Sequence, residues 1–219
     1  MASQIAHIVY AKKYFEALEN GVLIRNSNGR EKVSYPLGKL NKDEFLLGCV
    51  FPDIRLIDKN VSRKDTHLRF GKLDLDFSGL NSFEAGWKFH LYCDMKREDI
   101  LRKHNFYLME KAADYYGRPA KLFEDVVVYD NYNNWEKLEN YFNNPPFFNL
   151  DLNINKDSYN LWYAILARYI KEKPGLKSIK IFLSKVIIAH KKEIANVIEE
   201  FMQNEKIAKV LKEVHNEII

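Results

Sequence analysis

Residues 81–95 read Asn-Ser-Phe-Glu-Ala-Gly-Trp-Lys-Phe-His-Leu-Tyr-Cys-Asp-Met. Asn81 followed by Glu84 has the form of a capping box. The first side chain accepts a backbone N–H of the opening turn, and the second reaches back to the cap. Behind it Phe83, Trp87, His90 and Asp94 recur at helical spacing, with Leu91 and Met95 beside them. The pattern predicts a helix. It sets His90 and Asp94 on one face, about one turn apart. An imidazole and a carboxylate placed this way can both reach one metal ion. They also have an ordinary alternative, in which Asp94 pairs with Arg97 at the surface and His90 is a hydrogen-bonded helix residue.

The same helical signal dominates on either side. Ser3 is a candidate cap for a first helix running to about residue 19, with Ile5, Ile8, Val9, Phe15 and Leu18 as its apolar stripe. Val22-Leu23-Ile24 and Val33-Ser34-Tyr35 flank Asn28-Gly29, which predicts a small hairpin or extended loop near 21–37. Asn41 and Glu44 repeat the cap pattern, and the helix they open stops at Pro52. Residues 53–78 carry no sustained period and read as a long surface segment, a kind that is often functional. Further helices are expected around 106–116, 119–130, 134–143 and 157–171. The tail, 176–218, is long and amphipathic. The expected fold is all-α, a multi-helix bundle forming one domain over 1–219. Its metal-ligand part covers about 1–130 and its amphipathic helical part about 131–219.

Composition narrows the function classes. The chain has 219 residues, 47% hydrophobic and 29% charged, which suits one sizeable packed core. Lys and Arg total 34 against 30 Asp and Glu, a net charge of +4. That surplus is too mild for a dedicated nucleic-acid binder, so no nucleic-acid partner is expected. Cys49 and Cys93 make neither a disulfide framework nor a CxxC pair, and both read as buried free thiols. No apolar run approaches the roughly 18 residues a membrane span needs. Lys12, Lys13 and Glu16 interrupt the first helix too early for a signal peptide. The expectation is a cytoplasmic protein without a membrane span.

Upstream of the His90/Asp94 pair lie three more potential ligands. His7 sits in the first helix on the side of Tyr10, Ala11 and Tyr14. Asp53 follows Phe51-Pro52 where an apolar helix should end, and the helix dipole disfavours an acid there unless a cation compensates it. His67 lies in Asp65-Thr66-His67-Leu68-Arg69-Phe70, an apolar patch in a polar stretch. Each has an ordinary reading as a core, cap or surface residue. Imidazole with carboxylate suits zinc, and also iron or manganese, without thiolate.

In order along the chain, His7, Gly48-Cys49-Val50-Phe51-Pro52-Asp53, Thr66-His67 and His90-Leu91-Tyr92-Cys93-Asp94 resemble the zinc-dependent phospholipase C family, which is related to the zinc-dependent single-strand nucleases. The resemblance covers roughly the first 95 to 130 residues. It implies an all-helical fold with one or two zinc ions between helices, held by Asp53, His67, His90 and Asp94. His7 would help to hold a second ion, with Asp94 bridging. Asp125 is either a substitute ligand from a later helix or a surface acid, and His104 is a solvated residue near Lys103. The implied activity is hydrolysis of a small phosphate ester or phospholipid head group by a metal-activated water, with Asp53 orienting that water or taking its proton. Arg55, Arg63 and Arg69 are candidate phosphate contacts. A non-catalytic metal-binding protein and a helical partner-binding protein are the competing functions.

Overall fold

The computed structural model describes residues 3–21 and 40–219. The hairpin expected near 21–37 lies outside them, apart from Gly21. The described residues form ten α-helices and no strand. These are α1 (Gln4–Glu19), α2 (Lys42–Val50), α3 (Arg63–His67), α4 (Ser82–Lys103), α5 (Asp114–Val128), α6 (Trp135–Asn143), α7 (Lys156–Ile170), α8 (Leu176–Lys185), α9 (Lys191–Phe201) and α10 (Glu205–Glu217). Every one of them except α3 contributes buried apolar side chains to one core.

The capping box at Asn81 and Glu84 forms as the sequence predicts, with both reciprocal hydrogen bonds in place. At the start of α2, Asn41 caps the N–H groups of Asp43 and Glu44. There the return bond comes from elsewhere. The Asn41 N–H donates to Ser82 Oγ at 2.9 Å, which ties the start of α2 to the start of α4.

These two helices cross closely. A Cβ on Gly48 would stand 2.0 Å from the Phe83 carbonyl oxygen, and one on Gly86 would stand 1.9 Å from that of Phe45. Each glycine admits the backbone of the other helix, so the crossing is backbone against backbone. Gly86, His90 and Asp94 share one face of α4 at successive turns. The crossing therefore sets the height at which His90 meets α2.

α2 ends at Val50, just before Pro52 as expected, and the chain tightens into a 3-10 segment, Phe51–Leu56, with Pro at its first positions, where a missing N–H costs nothing. Other expectations are corrected. Residues 53–78 are not wholly irregular, since they also hold α3. The stretch 106–116 is no helix. It is a short 3-10 turn, Phe106–Leu108, then turns. Tyr115, Tyr116 and Gly117 follow in left-handed backbone, and regular helix resumes at Arg118-Pro119. The tail is three helices, interrupted by a left-handed His190 and by the turn before Asn204. Its apolar residues lie in the core, α9 against α5 and α8, and α10 against α4 and α5. Among the described residues no helix is long and apolar enough to cross a membrane.

Candidate metal centre

Five of the six predicted ligands converge. His7 comes from α1, Asp53 from the 3-10 extension of α2, His67 from the end of α3, and His90 and Asp94 from α4. All five are buried. Asp94 stands between the imidazoles. Its Oδ1 is 3.5 Å from His7 Nε2, while its Oδ2 is 3.6 Å from His90 Nε2 and 4.0 Å from His67 Nε2. Two overlapping trios, His7/His90/Asp94 and Asp53/His67/His90, each offer one ligand atom per residue within 4.8 Å of one another. Ligands about 2.0–2.2 Å from a tetrahedral ion stand roughly 3.3–3.6 Å apart, so these spacings are those of a site rather than of direct hydrogen bonds.

The outer contacts prescribe which ring nitrogen faces inward. His90 donates from Nδ1 to the Cys49 carbonyl at 2.7 Å, across the α2–α4 crossing. His67 Nδ1 lies 2.8 Å from Thr66 Oγ1. The Nε2 atoms of both residues are buried with no hydrogen-bond partner. Burial pushes the His67 imidazole down to about 4 and that of His90 well below its ordinary value. Both rings are then neutral near pH 7. The Cys49 carbonyl fixes the His90 proton on Nδ1, and the Thr66 hydroxyl, donating to the Ser62 carbonyl at 3.4 Å, accepts from His67 Nδ1, so each Nε2 keeps the unshared electron pair that binds a metal. A buried acceptor without a donor costs about 1–3 kcal/mol. Two of them aimed at one point, beside two carboxylates, fit a cation.

The carboxylates are ionised despite their burial. Burial works against the charge on Asp53, but Arg55, with Lys121 beside it, holds its carboxyl well below the usual range. Asp53 Oδ1 accepts from Arg55 at 2.9 Å and Oδ2 from Gln4 at 2.9 Å. Burial likewise opposes the charge on Asp94, and its carboxyl nonetheless lies well below the usual range. Asp94 does not form the surface pair with Arg97. Arg97 instead bonds Glu124 at 2.5 Å, in a buried network that includes the Tyr10 hydroxyl.

His7 is engaged differently. Its Nδ1 is 2.8 Å from the Ser3 carbonyl and its Nε2 3.3 Å from the His90 carbonyl, and its ring stacks on His90 at 3.8 Å. It thus has protein partners at both nitrogens. His90 has one Nε2 to give, and one nitrogen serves one ion. His90 is the residue shared by the two trios, with Asp53 and His67 on one side of it and His7 and Asp94 on the other.

Asp125 is not among them. Its Oδ1 accepts from the Ser3 hydroxyl and, at 2.9 Å, from the Ala6 N–H, and its Oδ2 accepts from Tyr169 at 3.0 Å. Ser3 occupies the cap position of α1 without capping it. A carboxylate 119 residues away caps the third N–H instead. Asp125→Ala leaves the Ala6 N–H and the Tyr169 hydroxyl unsatisfied and costs about 2–4 kcal/mol. Asp125→Asn keeps an acceptor and folds. Burial raises the Asp125 carboxyl to about 7 against the pull of its hydrogen bonds. Its contribution to stability is then fully present below about pH 4 and lost as the pH rises through about 7. Urea denaturation of wild type against Asp125→Asn checks this. The difference between them should shift by a few kcal/mol across that window, and a constant difference refutes the assignment.

His104 bonds Glu217 at 2.7 Å on the surface. Arg69 lies over the Trp87 ring at 5.1 Å. Arg55 and Arg63 do reach the site, where they line a cavity of about 260 Å³ whose wall includes Asp53. The sequence reading missed Arg118 and Lys121, which line the same cavity from α5. It also missed Trp87, whose indole donates to the Thr66 carbonyl at 2.6 Å and holds α3 against α4. Trp87→Phe removes that donor. It should cost about 1–3 kcal/mol and weaken metal binding by roughly 10–100-fold, checked by denaturation and by chelator competition. Unchanged affinity counts against this supporting role.

Comparison with known protein families, curated proteins and solved structures found no match.

Proposed function

We propose that the chain is a metal-dependent hydrolase of phosphate esters, with one divalent transition ion, zinc or alternatively iron or manganese, held by Asp53, His67, His90 and Asp94. One observation carries this: buried, unpartnered imidazole nitrogens beside two carboxylates, one of which also lines a cavity rich in Arg and Lys. The centre suits a cation and the adjoining wall suits an anion. A phosphate ester is the common substrate that needs both.

An ion bound there would act as a Lewis acid and lower the pKa of its water to about 7. The protein's own part is orientation. Asp53, ionised and fixed by Gln4 and Arg55, is suited to accept a hydrogen bond from the attacking water. Its low basicity makes it an orienting group more than a proton store. The water oxygen bonds to phosphorus, the ester P–O bond breaks, and the water's proton ends on the departing alkoxide. Arg55, Arg63, Arg118 and Lys121 offset the phosphoryl charge.

The test is hydrolysis of chromogenic phosphomonoesters and phosphodiesters by metal-loaded protein, with a phosphatidylcholine panel alongside. Activity that depends on metal and is lost in Asp53→Asn supports the proposal. A fully loaded protein inert on every ester leaves the non-catalytic metal protein as the function.

A further inference from the structure

The cavity beside the metal centre carries a lopsided charge. Arg55, Arg63, Arg118 and Lys121 line it, and Asp53 is the sole acid among its lining residues. Among the described lining residues four cations stand against one carboxylate, and a divalent metal ion would add further positive charge beside them. A phosphodiester with a neutral alcohol brings a single negative charge to this field. A choline phosphoester brings none overall, because its ammonium cancels its phosphate.

A cationic head group also needs a place to sit, either acids or an open aromatic face. Tyr116 is the one aromatic side chain at the cavity besides Phe182. The Arg118 guanidinium already lies over its ring, 5.8 Å from the centroid. Phe182 is buried in the core and stacks on Tyr169. Among the described lining residues an ammonium would find one exposed tyrosine, Tyr116, and no box of aromatic faces. The cations come from separate elements, Arg55 from the 3-10 segment, Arg63 from α3, and Arg118 and Lys121 from α5. The left-handed turn at Tyr115–Gly117 sets Arg118 at the first turn of the regular helix, facing this cavity.

We infer that the cavity selects a polyanionic phosphate ester, one whose leaving group carries a second phosphate or carboxylate, and discriminates against choline-type head groups. The inference rests on the phosphate-ester assignment above and adds to it the chemistry of the leaving group. A free sugar bisphosphate and a polyphosphorylated inositol lipid share that chemistry.

Calorimetry on the metal-loaded full chain tests it, with fructose 6-phosphate, fructose 1,6-bisphosphate and phosphocholine as probes. The bisphosphate should bind at least roughly 10-fold tighter than the monophosphate, with phosphocholine weakest. Arg118→Ala should weaken bisphosphate binding more than monophosphate binding and so remove most of that preference. A second arm uses phosphatidylcholine vesicles with and without phosphatidylinositol 4,5-bisphosphate. Preference in the soluble arm alone assigns a free metabolite, and capture only by the charged vesicles assigns the lipid. Equal affinities throughout, or phosphocholine binding tightest, overturn the inference. Selective binding without cleavage defeats the hydrolase assignment and leaves the charge selection standing.

Discussion

Protein purified without added metal will carry about one equivalent of a divalent transition ion, and His90→Ala and Asp94→Ala will each lose it. His90 supplies the one Nε2 common to both ligand trios, and Asp94 stands within 4.0 Å of three imidazoles. Loss of either should exceed the roughly 10–100-fold cost of removing an outer contact such as Trp87. Stability gives an independent readout. A ligand at 1,000 times its Kd stabilises the native state by about 4 kcal/mol, so zinc should raise the Tm of wild type and not of either variant. Asp125→Asn is the control and should keep full occupancy, because its carboxylate serves α1. Full occupancy in both ligand variants would rule out this centre, and so would metal-free wild type indifferent to zinc.

Gly86→Ala is the second large effect. The added methyl would stand 1.9 Å from the Phe45 carbonyl oxygen, and the neighbour that must yield is backbone, not a flexible side-chain end. Ordinary overpacking costs about 1–3 kcal/mol, and a clash between two helix backbones belongs at or above the top of that range. Helix propensity favours Ala over Gly by up to about 1 kcal/mol, so the steric effect wins. Gly48→Ala meets the Phe83 carbonyl at 2.0 Å and should behave alike. Pushing α2 from α4 also lengthens the bond from His90 to the Cys49 carbonyl. A folded variant should therefore bind metal more weakly as well as melt lower. Either substitution leaving the Tm within a degree would show that the helices can separate freely.

Much of this was legible in the sequence, for reasons of range. Asn81 with Glu84, and His90 with Asp94, are pairs within one helical turn, and local spacing decides local geometry. Gly86 was equally visible, one turn before His90, but its meaning depends on Gly48 facing it from another helix. No periodicity marks which residue a glycine faces. Asp125 misled because an acid among apolar residues looks the same whether it caps a distant helix or holds a metal. Only the Ala6 N–H and Tyr169 hydroxyl distinguish the two. The stretch 106–116 has helical composition, yet the chain takes left-handed backbone at Asn105, Lys111, Tyr115 and Tyr116. Tertiary packing overrode propensity there. Lys121 and Arg118 carry no local signal, because the cavity they face is closed by residues as distant as Phe182 and Ile188.

The carboxylate that caps α1 also bears on the order of folding. Asp53, His67, His90 and Asp94 all emerge from a ribosome well before Asp125 and Tyr169 do. Until those two exist, the first turn of α1 lacks the acceptor that seats it, and Gln4, which steadies Asp53, rides on that turn. Closing so long a loop is slow relative to local helix formation. A nascent chain should thus hold Asp53, His67, His90 and Asp94 loosely until the α7 segment has been made.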